Sequence, residues 1–348
     1  MPRPRWAIHL EAAFWRNAMA AGMYLHKCAA PIPPDLSFTL EIPSTLSKVP
    51  GKIGLSFYTP PSYIQPALRP LHPVVVNFHG GGFTLGHSTD DARWCAAVTS
   101  QLNAVVISVD YRLAPEHPFP TAVEDGTDVL LWLEAHAALY SLDASRVAIS
   151  GFSAGGNMCF SVPLRLSYER SLHCSPTQVL AGPRLRLAAI AAFYPSTDFT
   201  APRAQRRATN VRPEMELPKL FTDLFDASYL YPPKEVPLDS PFLSPAVATD
   251  NDVKAALPSD VMLVICEWDE LRAEGERWGE RLKDLGVRVW KEVVMGVAHG
   301  WDKGPNPVFE DAKARRVYGS VCEQLGRAFY GEDWKNEVFE GSDVGLAI

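Results

Sequence analysis

Gly151-Phe152-Ser153-Ala154-Gly155 follows an apolar run, Arg146-Val147-Ala148-Ile149-Ser150, and leads into Gly156-Asn157-Met158, where a helix is expected. Strand, tight turn and helix in that order predict a nucleophile elbow, which projects the serine oxygen into a cleft. The flanking glycines lack a Cβ, so the backbone can take strained torsions and let neighbouring segments come close. By itself the pattern also fits an ordinary Gly/Ser turn. A second motif upstream decides between the readings: His79-Gly80-Gly81-Gly82, directly after the apolar run Pro73-Val74-Val75-Val76-Asn77-Phe78.

The two motifs have complementary physical jobs. Acyl transfer puts negative charge on a carbonyl oxygen, and N–H groups already fixed around that point stabilise it without reorganising. A glycine run after a strand can bring such donors together, here those of Gly81 and Gly82. The N–H of Ala154, the residue after the serine, supplies the third. His79 reads as support for the loop through hydrogen bonds, with Gly80 part of the same turn. A phosphate-cradling loop would need the Lys-Ser/Thr pair of a P-loop, which is absent.

Outward from these motifs, aliphatic runs recur at Val74–Phe78, Ala104–Val109, Val147–Ser150, Leu187–Phe193, Val261–Cys266 and Val287–Val293. They are nearly continuous, as strands buried on both faces should be. Helical runs alternate with them at Asp91–Gln101, Ala122–Ala138, Ala154–Tyr168, Leu271–Leu285 and Val308–Phe329, and Gly286 stands where a helix would stop. Such alternation predicts an α/β architecture, a mostly parallel central sheet with helices on both faces. Ligands then bind at the carboxyl ends of the strands, where Ser153 and the glycine run fall. Between Asp198 and Pro245 the rhythm stops. Leu217–Tyr231 instead carries Leu220, Phe221, Leu224, Phe225 and Leu230 at helical spacing, after a stretch with Arg203, Arg206, Arg207 and Arg212. Residues 1–45 and 200–243 are therefore expected to form a helical cap over a catalytic core of 46–348.

The chain of 348 residues is 47% hydrophobic and 21% charged, an ordinary globular composition with ample core. A net charge of -7 leaves no basic footprint, so nucleic acid is not an expected partner. Cys28, Cys95, Cys159, Cys174, Cys266 and Cys322 form no CxxC pair and point to a reducing, cytoplasmic setting rather than a disulfide framework. Trp6 to Leu25 is apolar after Arg3 and Arg5, but Glu11, Arg16 and Asn17 break it, which argues against a signal sequence or a membrane span. Trp6, Leu10, Phe14, Ala18 and Met19 recur at helical spacing, and that face is expected to pack on the core, with contact to a membrane surface as the alternative.

Ser153 needs a base. His299 lies in Gly296-Val297-Ala298-His299-Gly300-Trp301, a loop just after the last strand run, from which an imidazole can reach the serine. The orienting acid is expected between serine and histidine in the chain. Asp269 directly follows Val261–Cys266 and is the first choice, with Asp198, after the preceding strand, as rival and Glu270 adjacent to it. Asp302 is too near His299 in sequence to reach across it comfortably. No metal or cofactor is called for by this set.

With these residues in hand, the chain resembles the hormone-sensitive-lipase-like branch of the α/β hydrolases, which includes bacterial esterases and arylacetamide deacetylases. The resemblance runs from Val74 to Phe329 and includes Asp110-Tyr111-Arg112-Leu113-Ala114-Pro115-Glu116-His117-Pro118-Phe119-Pro120 with Ala122-Val123-Glu124-Asp125, a segment that in the family is mainly structural. It implies the α/β-hydrolase fold and an acid and base in Asp269-Glu270-Leu271-Arg272 and His299-Gly300-Trp301. Family members commonly have proline where Glu270 stands and phenylalanine near the histidine, where this chain has Trp301. The expected activity is hydrolysis of a hydrophobic small-molecule ester by way of an acyl-enzyme, with an acetyl or short-acyl ester or a lactone, such as a secondary metabolite, as the expected substrate. The alternatives are acyl transfer, amide hydrolysis, a cyclase or lyase on the same pocket, or a ligand receptor on this fold; in the receptor class the base histidine is lost, whereas His299 is present.

Overall fold

The computed structural model describes residues 3–63, 71–173, 184–304 and 312–335. Cys174 and the expected start of the last helix at Val308 lie outside them. In chain order the elements are α1 (Arg5–Cys28), β1 (Phe38–Pro43), β2 (Lys52–Tyr58), β3 (His72–Phe78), α2 (Ala92–Leu102), β4 (Val105–Asp110), α3 (Thr121–His136), β5 (Leu142–Phe152), α4 (Ala154–His173) and β6 (Leu187–Phe193). They continue with α5 (Arg203–Arg207), α6 (Lys219–Tyr229), α7 (Asp250–Ala256), β7 (Asp260–Trp268), α8 (Arg272–Asp284), β8 (Arg288–Ala298) and α9 (Ala312–Tyr330).

The sheet has eight strands in the order β1-β2-β4-β3-β5-β6-β7-β8. From β4 to β8 every pairing is parallel, and β1–β2 and β2–β4 are antiparallel. All residues of β3 are buried, and Val74, Val75 and Val76 run without the alternation of a half-exposed strand. Two apolar clusters, one on each side of the sheet, contain the inward faces of the packed helices, with Met158 and Trp278 in one and Trp94 and Val321 in the other. Burying an aliphatic side chain such as Met158 or Val321 contributes about 1.5–3 kcal/mol relative to exposure, so the two clusters hold the helices to the sheet.

The cap boundary differs from the sequence expectation. Residues 38–43, assigned above to the cap, are strand β1, and β2 was not foreseen. Both alternate rather than run aliphatic: Ile53, Leu55 and Phe57 face the core while Lys52 and Gly54 intervene. That is the pattern of antiparallel strands near a sheet edge, and a search for continuous apolar runs passes over it.

The packed face of α1 also differs. Trp6, Leu10 and Phe14 are 68%, 64% and 63% exposed, whereas Ile8, Ala12 and Met23 are buried. Ile8 and Ala12 pack against Leu224 of α6 with Trp15 alongside. The smaller side chains let the two helices approach closely, and the larger ones turn outward. Arg16 fixes the docking from the flank, donating to the carbonyls of Thr84 at 2.9 Å and Ala114 at 2.7 Å and pairing with Glu116. Among the described residues no helix is long and apolar enough to cross a membrane.

Candidate active site

Strand register assembles the site. Phe78 of β3 lies opposite Gly151 of β5, so the glycine run that follows β3 and the serine that follows β5 emerge side by side. Trp268 of β7 lies opposite Ala298 of β8, so the next residues, Asp269 and His299, are neighbours. Ser153 has φ +55°, the left-handed region, as an elbow between β5 and α4 requires. A residue held there costs on the order of 1–3 kcal/mol and persists only where its surroundings fix it. Here the Ser153 N–H donates to the Phe193 carbonyl at 2.9 Å, and the Ser153 carbonyl accepts from Asn157 N–H at 3.0 Å. Gly155 is demanded by packing, because a Cβ there would run into the Phe78 carbonyl.

The three expected side chains meet in one line. Ser153 Oγ is 2.8 Å from His299 Nε2, and His299 Nδ1 is 2.7 Å from Asp269 Oδ2. A carboxylate only accepts, so Nδ1 carries the proton and Nε2 is left to accept from the serine hydroxyl. The other Asp269 oxygen accepts from Leu271 N–H at 3.0 Å, and the side chain is 2% exposed. Burial works against an imidazolium at His299, but the charge and hydrogen bond of Asp269 outweigh it, with Glu270 and Asp302 adding, and raise its pKa above the usual value. Asp198, the rival acid, turns to its own loop and accepts from Thr200 N–H at 2.8 Å.

Gly81 and Gly82 line the space in front of Ser153, and both have positive φ, +110° and +59°. Ala154 lines a smaller space beside Ser153 together with Gly82. His79 is fully buried, stacks on Tyr111 at 4.3 Å between ring centroids, and its Nδ1 donates to the Gly80 carbonyl at 2.7 Å. Tyr111 O–H in turn donates to the His79 carbonyl at 2.8 Å, so the loop is held from both sides of the ring. The Asp110-to-Asp125 segment does no more than support: Arg112 is forked onto buried Asp125, and Glu116 anchors Arg16 of α1.

Two charged groups near the site were not foreseen. The Lys303 ammonium sits 2.8 Å from Asp91, 3.2 Å from Asp302 and 3.6 Å above the Phe152 ring. Asp302 also accepts from Tyr194 O–H at 2.6 Å and from Tyr318. Burial would push the Asp302 carboxyl up, but Lys303 and the two phenols outweigh it and hold it below the usual range. This cluster fastens the loop that carries His299. On the opposite flank Glu270 receives Arg203 at 2.6 Å and Arg207 at 3.3 Å, tying α5 to the residue beside Asp269. The sequence signal for the second was Glu270 standing where the family commonly has proline; Lys303 carried none.

The cavity in front of Ser153 has a volume of about 450 Å³. Its cap side is formed by Trp15, Met19 and Met23 of α1 with Phe221 and Phe225 of α6, and its floor by Asp90, Asp91 and Lys303. The sequence paired the N-terminal helix with the 217–231 segment over the serine, and these two helices do meet there.

Residues 75–303 match a family model described as the alpha/beta hydrolase fold. The chain belongs to the hormone-sensitive-lipase-like branch of the α/β hydrolases. It is 32% identical to the carboxylic ester hydrolase LipN of Mycobacterium tuberculosis over 75% of this chain and 65% of that protein. It is also 32% identical to the carboxylesterase NlhH of the same organism, over 77% of this chain and 78% of that protein. An esterase structure from Pyrobaculum calidifontis aligns with a TM-score of 0.72 at 27% identity, covering 90% of this chain and 92% of that one. By these relations this member of the branch is a carboxylesterase-like hydrolase.

Proposed function

We propose that the protein hydrolyses carboxylic esters of hydrophobic small molecules through an acyl-enzyme on Ser153. The observation that carries this reading is the unbroken hydrogen-bonded line from Ser153 Oγ through His299 to Asp269. His299 Nε2 takes the serine proton as Oγ attacks the ester carbonyl, and Asp269 keeps the imidazole in the reactive tautomer and offsets its charge. The N–H groups of Gly81, Gly82 and Ala154 receive the oxyanion. His299 then returns the proton to the departing alcohol. In the second half a water, deprotonated by His299, releases the acid and restores the serine.

The apolar cap wall of the 450 Å³ cavity supports a hydrophobic substrate, because most of a small molecule's surface would leave water there. Fluorophosphonate labelling followed by peptide mapping, with aryl esters of graded acyl length as substrates, tests the reading. Label on Ser153 and loss of turnover by about a millionfold in Ser153→Ala are expected. Retention of more than a few per cent of aryl-ester turnover by a folded Ser153→Ala protein would sink the acyl-enzyme.

A further inference from the structure

Ser153 also borders a second, much smaller cavity of about 60 Å³, on the side of α5. One water needs about 10–15 Å³ of such space, so the cavity takes a short group of a few heavy atoms. Two arginines of α5 line it and are held in opposite ways. Arg203 is saturated: it forks onto Asp226 at 2.6 and 2.9 Å and reaches Glu270 at 2.6 Å.

Arg206 is not saturated. It is 6% exposed, and its ion-pair neighbour among the described residues, Glu274 Oε2, is 3.9 Å away, beyond hydrogen-bond reach. Among the described residues, Arg206 Nε and Glu274 Oε2 are both without a hydrogen-bond partner. So is the hydroxyl of Ser196, which lines the same cavity. Burial pushes the Glu274 carboxyl up to about 7, so near neutral pH it offers Arg206 only part of a charge. The guanidinium lies over the Phe199 ring, 5.5 Å from its centroid, which steadies its plane without using its N–H groups. A buried charged donor left unpaired is costly, and a fold keeps such a group where something else satisfies it.

We propose that the small cavity is a subsite for a short substrate group bearing a neutral oxygen acceptor, such as an ether or keto oxygen, recognised by Arg206 with Ser196 beside it. A carboxylate is the wrong ligand, since Asp226, Asp269 and Glu270 line the same space. The inference rests on Ser153 being the nucleophile, because it specifies which substrates are presented to that serine.

Isosteric pairs test it: aryl methoxyacetate against aryl butyrate for the acyl side, and 2-methoxyethyl against butyl acetate for the alcohol side. Each kcat/KM is divided by the ester's alkaline hydrolysis rate to remove intrinsic reactivity. The wild-type protein is expected to prefer the oxygen-bearing ester about tenfold or more in one series, the size of a hydrogen bond to a charged donor. Arg206→Met is expected to bring that ratio near unity, and Ser196→Ala to reduce it while disturbing no ion pair. Should Arg206→Met fail to fold, Ser196→Ala alone decides. No oxygen preference in either series, or a preference that survives the substitutions, overturns the subsite even if fluorophosphonate still labels Ser153. Absence of both labelling and hydrolysis overturns the nucleophile itself and the subsite with it.

Discussion

The sheet side and the cap side of Ser153 are built by different means. On the sheet side, Gly81, Gly82, Asp269 and His299 are delivered by the register of parallel strands, whose pairings from Phe78–Gly151 to Trp268–Ala298 set adjacent loops side by side. On the cap side, α1 and α6 bring Trp15, Met19, Phe221 and Phe225 by helix packing, and side chains fasten the attachment: Arg16 to core carbonyls, Arg203 and Arg207 to Glu270. Shifting a strand by one residue would reverse every side chain on it, so the chemical groups cannot drift separately. The cap helices have no such coupling. On the proposed mechanism the sheet side would carry the chemistry and the cap side the selectivity, and substitutions on the two sides should then differ in kind as well as in size.

The largest effect is expected on the sheet side. Asp269→Asn puts an amide opposite His299 Nδ1 and favours the wrong imidazole tautomer, which costs roughly ten-thousandfold in turnover. Asp198→Asn, whose carboxylate caps only its own turn through Thr200, is expected to lose little. Steady-state kcat on one activated aryl ester measures both. The reverse ranking would break the comparison at its root, because the acid would then not be the residue that register sets beside His299.

How far each side was legible in the sequence follows from the same difference. The elbow, the glycine run and His299 announce themselves locally, since a positive φ, a close approach or a strand end demands particular residues in a short span. The parallel strands were readable as continuous aliphatic runs; β1 and β2 were not, because edge strands such as Phe38–Pro43 alternate and resemble linker. On the cap side the face of α1 expected to pack carried Trp6, Leu10 and Phe14, and these are exposed, because helical spacing marks an apolar stripe without saying what covers it. The Glu270 clamp and the Lys303–Asp91–Asp302 cluster join residues far apart in the chain, and pairings of that range leave no periodic trace.

A cap-side change of intermediate size sharpens the contrast. Phe221 lines the large cavity and packs edge-on against Trp15, with 4.8 Å between ring centroids. Phe221→Ala enlarges the cavity without touching the sheet. Each methylene accommodated or excluded is worth about 1–3 kcal/mol, or roughly 10–200-fold in kcat/KM between neighbouring homologues. A shift of the optimum towards longer chains is expected, with the rate of labelling by a small fluorophosphonate nearly unchanged. An unaltered chain-length profile in a folded variant would show that the cavity wall is not the selector.

The smallest effect is expected where the two sides touch, at Glu270, and it appears as pH dependence. His299 must be neutral to accept the serine proton, so activity falls on the acid side as the imidazole takes a proton. Burial alone would push its pKa down, but Asp269, then Glu270 and Asp302, raise it above the ordinary value of about 6.5. The acid limb of kcat/KM should therefore lie above that pH. Glu270→Gln removes one contributing negative charge and leaves Arg203 and Arg207 less neutralised, and both changes disfavour the imidazolium. The limb is thus expected to move to lower pH. Glu276→Gln, which removes only the surface partner of Arg272, is the control and should leave the limb in place. A limb that stays put or moves to higher pH in Glu270→Gln would mean that the clamp holds the cap without acting on the base, and that the two sides of Ser153 are joined structurally but not electrostatically.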